Sequence, residues 1–248
     1  VSRAHLLAGK RDPWTPWVIP RSQLLAWWDA EQVSTISESS GAVTEWRDLM
    51  RGYAPTASTT ARPTYDATGF NGRPVLTFDG VANCLTLTGV PTGLPTGASP
   101  CELWALVDQT SLATGNNRVV FGWGDGSAAG VSNRFMSKTV SSSANRARVG
   151  SGNGTVLTAS VEATMDFTGR HVVRAVIDGT NIRIEIDGVA SVKAAAAPVT
   201  ATTRFRIGSF FAASASGFFG GGMNSLLVTT MLDDTVAARL RAYLDARK

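Results

Sequence analysis

Four residues near the middle of the chain have the chemistry of a sugar site. Trp123 offers a flat apolar ring that stacks on a pyranose face when exposed. Asp125, Asn133 and Arg134 offer the carboxylate, amide and guanidinium that bond sugar hydroxyls. Trp123 also ends the alternating apolar run Arg118-Val-Val-Phe-Gly-Trp123, so a core position is the competing reading. A second set opens the chain. Arg3, Lys10 and Arg11 carry charge, and Trp14 and Trp17 stand among Pro13, Pro16 and Pro20. Prolines hold such a segment extended, and its aromatics give large contact area at low entropic cost. Docking on a partner and packing on its own domain both fit these residues. Catalytic patterns are sparse. His5 and His171 are the only histidines, with no Gly-x-Ser-x-Gly elbow, Walker A loop or clustered zinc ligands.

Strands must position these groups. Val75–Phe78, Cys84–Thr88, Glu102–Val107 and Arg118–Trp123 are short β-type runs, with Asp79-Gly80 as a turn signal. Residues 124–170 are rich in Gly, Ser, Asn and Thr, which reads as loops with weaker strands near 133–140 and 145–149. The clearest hairpin joins His171–Ile177 to Ile182–Asp187 through Asp178-Gly179. In its second strand Ile182, Ile184 and Ile186 share one face, and Arg183, Glu185 and Asp187 share a wet one. Residues 204–210 and 223–232 give two later strands, with Gly217 to Gly222 read as a flexible bend between them. A helix over about 234–247 places Val236, Leu240, Tyr243 and Leu244 on one stripe, capped by Asp233 or Asp234.

The chain has 248 residues, 44% hydrophobic and 17% charged, enough to bury a substantial core. Arg3, Lys10, Arg11 and Arg21 against Asp12 place most of the net +4 charge in residues 1–22. The rest is near neutral, which argues against a broad nucleic-acid face. No apolar run is long enough for a membrane-spanning helix, and the first residues lack the apolar core of a secretory signal. Cys84 and Cys101 are too few for a disulfide framework, and free thiols are expected.

The block Trp27-Trp-Asp-Ala30, Val43-Thr-Glu-Trp-Arg-Asp48, Arg62-Pro-Thr-Tyr65 and Asn71-Gly-Arg-Pro-Val-Leu-Thr-Phe-Asp-Gly80 resembles the start of concanavalin A-like (laminin G-like) jelly-roll domains. Such domains occur in bacterial surface proteins and phage structural proteins. The Val176-Ile-Asp-Gly179 to Ile186-Asp-Gly188 hairpin, Arg206-Ile-Gly208 and Leu240-Arg-Ala-Tyr-Leu244 extend the resemblance over residues 24–247. It implies an all-β, two-sheet antiparallel jelly-roll sandwich over 23–248, with an extended N-terminal arm over 1–22 and a short C-terminal helix. Glycan-cleaving members carry Glu-x-Asp-x-x-Glu on one strand. Glu185-Ile-Asp187 supplies half of it, and the second Glu is missing, so the carboxylate pair a retaining glycosidase needs is absent from that strand. Lectin-like relatives suggest calcium at Asp125 with Asn116 and Asn117. A Gly-rich turn is the favoured reading there, and no cofactor or metal is expected. The resulting expectation is a non-enzymatic virion component, as a tail, fibre or head-decoration protein in a symmetric assembly. Its arm would anchor it to other virion proteins, its removal leaving a folded domain, and its sandwich would contact host surface polysaccharide. The alternative is a secreted or surface carbohydrate-binding lectin module.

Overall fold

The computed structural model describes residues 14–109, 118–124, 133–141, 144–151, 159–194, 203–209 and 217–248. Among them run sixteen strands: β1 (Leu24–Asp29), β2 (Ile36–Ser39), β3 (Ala42–Trp46), β4 (Thr64–Phe70), β5 (Arg73–Asp79), β6 (Leu85–Thr88), β7 (Cys101–Gln109), β8 (Arg118–Gly124), β9 (Asn133–Ser141), β10 (Ala144–Ser151), β11 (Ala159–Asp166), β12 (Gly169–Ile177), β13 (Asn181–Ile186), β14 (Val189–Ala194), β15 (Arg204–Ile207) and β16 (Gly220–Thr229). One helix, α1 (Asp234–Asp245), follows them. A ten-stranded sheet runs β14-β13-β12-β7-β16-β5-β4-β3-β2, with β1 also paired to β16. A six-stranded sheet runs β11-β10-β9-β8-β15-β6. Every strand pair in both sheets is antiparallel, so the molecule is a β-sandwich, as expected.

Alternation builds the layers. On β7, Leu103, Ala105 and Val107 point between the sheets, while Trp104 and Leu106 point to the outer face of the ten-stranded sheet. Both sets are buried, because a second apolar layer covers that outer face. It consists of Leu240, Leu244 and Ala237 from α1, with Ile19 and Trp14 from the segment before β1. Between the sheets, Trp28, Phe205 and Trp123 stack in a column, with centroids 5.0 Å and 6.5 Å apart. Asn71-Gly72 and Asp187-Gly188 take left-handed dihedrals at both positions, which suits the two-residue hairpins they close.

Two expectations need correction. Gly220, Gly221 and Gly222 are not a bend. They lie in β16, paired with Asp79, Phe78 and Thr77 on one side, and Gly221 and Gly222 with Gln109 and Asp108 on the other. A Cβ on Gly222 would sit 3.0 Å from the Phe70 ring, so the missing side chain admits that ring to the layer. Nor is the face of Arg183 and Glu185 simply wet. Glu185 is buried, its carboxylate bridged to Arg174 and Arg183. Cys84 and Cys101 are both free thiols.

Candidate functional site

α1 begins where the Asp233 side chain accepts a bond from the Val236 amide, 2.9 Å. Its apolar stripe of Ala237, Leu240 and Leu244 faces the sheet. The neighbouring stripe is Arg239, Ala242, Tyr243, Ala246 and Arg247, one and two turns apart on the same side. That stripe forms one wall of a cleft of about 500 Å³, completed by Trp14, Glu31 and Arg73. Ala242 and Ala246 keep the helix wall low between two aromatic rings. Trp14 meets Tyr243 edge to face, centroids 6.1 Å apart.

Arg247 fixes the floor. Its Nη2 donates to Asp29 Oδ1 at 2.6 Å, its Nε to Glu31 Oε1 at 3.0 Å, and its Nη1 to Tyr243 Oη at 2.8 Å and Ser225 Oγ at 3.1 Å. The guanidinium also lies over the Tyr243 ring, 4.9 Å from its centroid. Arg73 Nη1 donates to the same Glu31 oxygen at 2.7 Å. Burial pushes Glu31 up, but Arg247 and Arg73 outweigh it and hold the carboxyl below its ordinary value. Burial drives the Tyr243 phenol up to about 12, so it stays a neutral donor and acceptor. Burial opposes the Arg247 charge, yet the Asp29 carboxylate more than offsets it. Arg239 is exposed and makes no ion pair with a described residue. The cleft thus presents two aromatic rings, a fixed carboxylate, a fixed guanidinium and the exposed Arg239 cation. Apolar faces with a few convergent polar groups are the make-up of a small-ligand site.

Of the residues singled out from sequence, Trp123 is fully buried, and its Nε1 donates to Pro95 O at 2.7 Å. A ring with no exposed face cannot stack on a sugar, so the Trp123 site is corrected to a core position. Arg134 is also fully buried. Its guanidinium donates to Gly97 O at 2.7 Å, to Ser99 O and to Cys101 Sγ at 3.1 Å, pinning the loop before β7. Asp125 and the Asn133 side chain lie outside the described residues, as do Asn116 and Asn117, the other calcium candidates. Arg3, Lys10 and Arg11 of the arm lie outside them too. Trp14 and Trp17 are packed on their own domain, Trp17 edge to face on Trp27 at 5.3 Å and still half exposed. His171 Nδ1 lies 2.8 Å from Asp187 Oδ2, and Asp187 also pairs with Lys248. Among the described residues no His, Cys, Asp or Glu group could hold a metal. Glu31, Arg73, Arg239 and Arg247 escaped the sequence reading as site residues. The one local trace was the four-residue spacing of Arg239, Tyr243 and Arg247.

No protein-family model and no curated protein sequence matches this chain. Solved structures do. A GH54 α-L-arabinofuranosidase soaked with 4-nitrophenyl α-L-arabinofuranoside superposes with a TM-score of 0.60 at 12% identity, over 84% of this chain and 51% of the other. The chain therefore spans about half the length of that enzyme. Domain 4 of AbnA, a GH43 extracellular arabinanase from Geobacillus stearothermophilus in complex with arabinotriose, gives a TM-score of 0.54 at 14% identity. The match covers 90% of this chain and 98% of that domain. The enzymatically active domain of bacteriophage CBA120 tailspike protein 2 gives a TM-score of 0.53 at 14% identity, over 75% of this chain and 30% of the other. At these identities the likeness establishes the fold. It also overturns the expectation of a non-enzymatic protein. Glycoside hydrolases and a tailspike's enzymatically active domain share the fold, so a missing motif on one strand is no ground for reading the chain as non-enzymatic.

Proposed function

We propose that this chain is a glycan-recognition module that uses the cleft beside α1, borne on a virion tail, fibre or decoration protein that meets a host surface. The cleft carries the reading. Trp14 and Tyr243 supply ring faces and edges, while Glu31, Arg73 and Arg239 supply hydroxyl partners within one open cavity. Support comes from a domain of matching extent that holds arabinotriose, and from a tailspike that shares the fold.

Titration with arabino-oligosaccharides and a wider glycan panel tests the cleft. Trp14→Ala and Arg239→Gln are each expected to weaken binding by about tenfold, the usual weight of an anchoring Trp or Arg. Arg239→Gln should leave the unfolding midpoint unchanged, and circular dichroism checks that Trp14→Ala stays folded. Binding that survives both substitutions unchanged would discard the cleft. Product analysis of the same mixtures reads any bond cleavage directly. Co-sedimentation of the native chain with particles tests the virion placement, and a chain found only free in the medium would refute it.

A further inference from the structure

The opposite face of the molecule carries a second arrangement that the cleft does not use. On β15, Phe205 and Ile207 point into the core, so Arg204 and Arg206 point out from the six-stranded sheet. Arg206 is flanked in register by Thr86 on β6 and Gly122 on β8, and Arg204 by Thr88 and Gly124. Two rungs of the same make-up follow each other: hydroxyl, guanidinium, bare backbone. Neither glycine brings a side chain of its own beside the guanidinium it flanks.

Neither arginine is neutralised by a described residue. Arg206 is half-buried, and its Nε is shielded from water without a hydrogen-bond partner. Burial, the largest influence, and the Arg204 charge act against its own charge, while Cys84 acts the other way. The nearest carboxylate along this row, Glu45, is separated from it by Thr56 and Thr86 and is bridged to Arg47 at 2.6 Å. Asp79, near Cys84, spends one oxygen on the amides of Val81, Ala82 and Asn83. Two like charges side by side with an unpartnered N–H are costly unless an anion joins them.

We propose that Arg204 and Arg206 form an oxyanion-binding site that takes carboxylate or sulfate groups of an acidic glycan chain. The guanidinium fork matches either group in bidentate fashion, and the threonine hydroxyls complete the shell. Two rungs on one strand face suit a polymer with repeated charges. The polymer is inferred from the reading of the chain as a glycan binder, but the oxyanion site stands apart from the cleft.

Cys84 reports occupancy without any substitution. It is partly exposed beside Arg206 and Thr86, whereas Cys101 is fully buried. Alkylation by neutral iodoacetamide is followed by mass spectrometry with dextran sulfate, polygalacturonate or plain dextran present. Dextran sulfate, polygalacturonate or both are expected to slow Cys84 modification about fivefold or more, and which of them acts names the anion. Plain dextran should have no effect. Arg204→Gln with Arg206→Gln should abolish the protection, and Arg239→Gln, which removes a cation from the other face, should leave it. Where the double Gln variant fails to fold, Arg204→Lys with Arg206→Lys keeps the charge and loses the fork, so weakened protection supports the site. The proposal falls if neither polyanion protects, if dextran protects equally, if Arg239→Gln removes the effect, or if the Lys pair protects undiminished. Arabino-oligosaccharide binding, read through Trp14, stays unchanged in the Arg204 and Arg206 variants if the two sites are separate, so either reading can fail alone.

Discussion

Arg247 holds more of the cleft together than any residue that lines it in plain view. Its guanidinium ties α1 to β1 and β16 by bonds to Asp29, Glu31, Tyr243 and Ser225, and only 4% of it is exposed. Removing one partner of such a pair leaves the other buried and uncompensated. Arg247→Met should therefore cost about 3–5 kcal/mol in urea unfolding. A cost near that of an exposed ion pair, under about 1 kcal/mol, would mean Asp29 finds water or protonates freely. At this scale the sequence was least readable. Arg247 looks like an ordinary cation at a helix C-terminus, and its acid lies more than 200 positions upstream. Trp123 erred the other way. Its neighbours suggested a sugar platform, while its strand alternation pointed correctly to the core.

The element that closes the molecule's outer layer is the segment before β1. Thr15 leads into a 3-10 turn, Pro16–Val18, which seats Ile19 in the second core and Trp14 against Tyr243. Removing residues 1–22 uncovers Trp27 and Tyr243 and should lower the free energy of urea unfolding by about 2 kcal/mol or more. An unfolding free energy equal to the parent's would show that Trp14 and Ile19 contribute nothing. The sequence divided the chain at residue 22, because prolines mark an extended segment but do not say what it lies on. Other elements were open to reading. Ile182, Ile184 and Ile186 point inward as their spacing requires, and Leu240 and Leu244 seat the helix. The Gly220–Gly222 run misled, because composition alone does not distinguish a bend from a strand thinned for a neighbouring ring.

As a whole, the molecule is two sheets and an outer layer held by two cores that share strands β1, β5, β7, β12 and β16. Neither core can open without disturbing the other. The Trp28–Phe205–Trp123 column crosses from β1 to β15 and β8, so each sheet is templated by the other. Tryptophan fluorescence and far-UV circular dichroism should accordingly follow one shared transition in denaturant. Two separated transitions would show that the sheets unfold as independent units. The overall sandwich was legible because period-two alternation survives in β12 and β13. The cleft was not, because its walls come from residues 14, 31, 73 and 239–247, and only the folded topology brings them together.

The pairing of β1 with β16 also bears on how the chain is made. Leu24 lies opposite Thr229, and Asp29 opposite Ser225. A ribosome delivers β1 about 200 residues before the strand it must join, a delay of about ten to forty seconds at ordinary elongation rates. Through that interval Trp27 and Trp28 have no partner strand. In a crowded polysome the first β16 to arrive can belong to a neighbouring chain, and exchange of β1 between copies is the misassembly this topology invites.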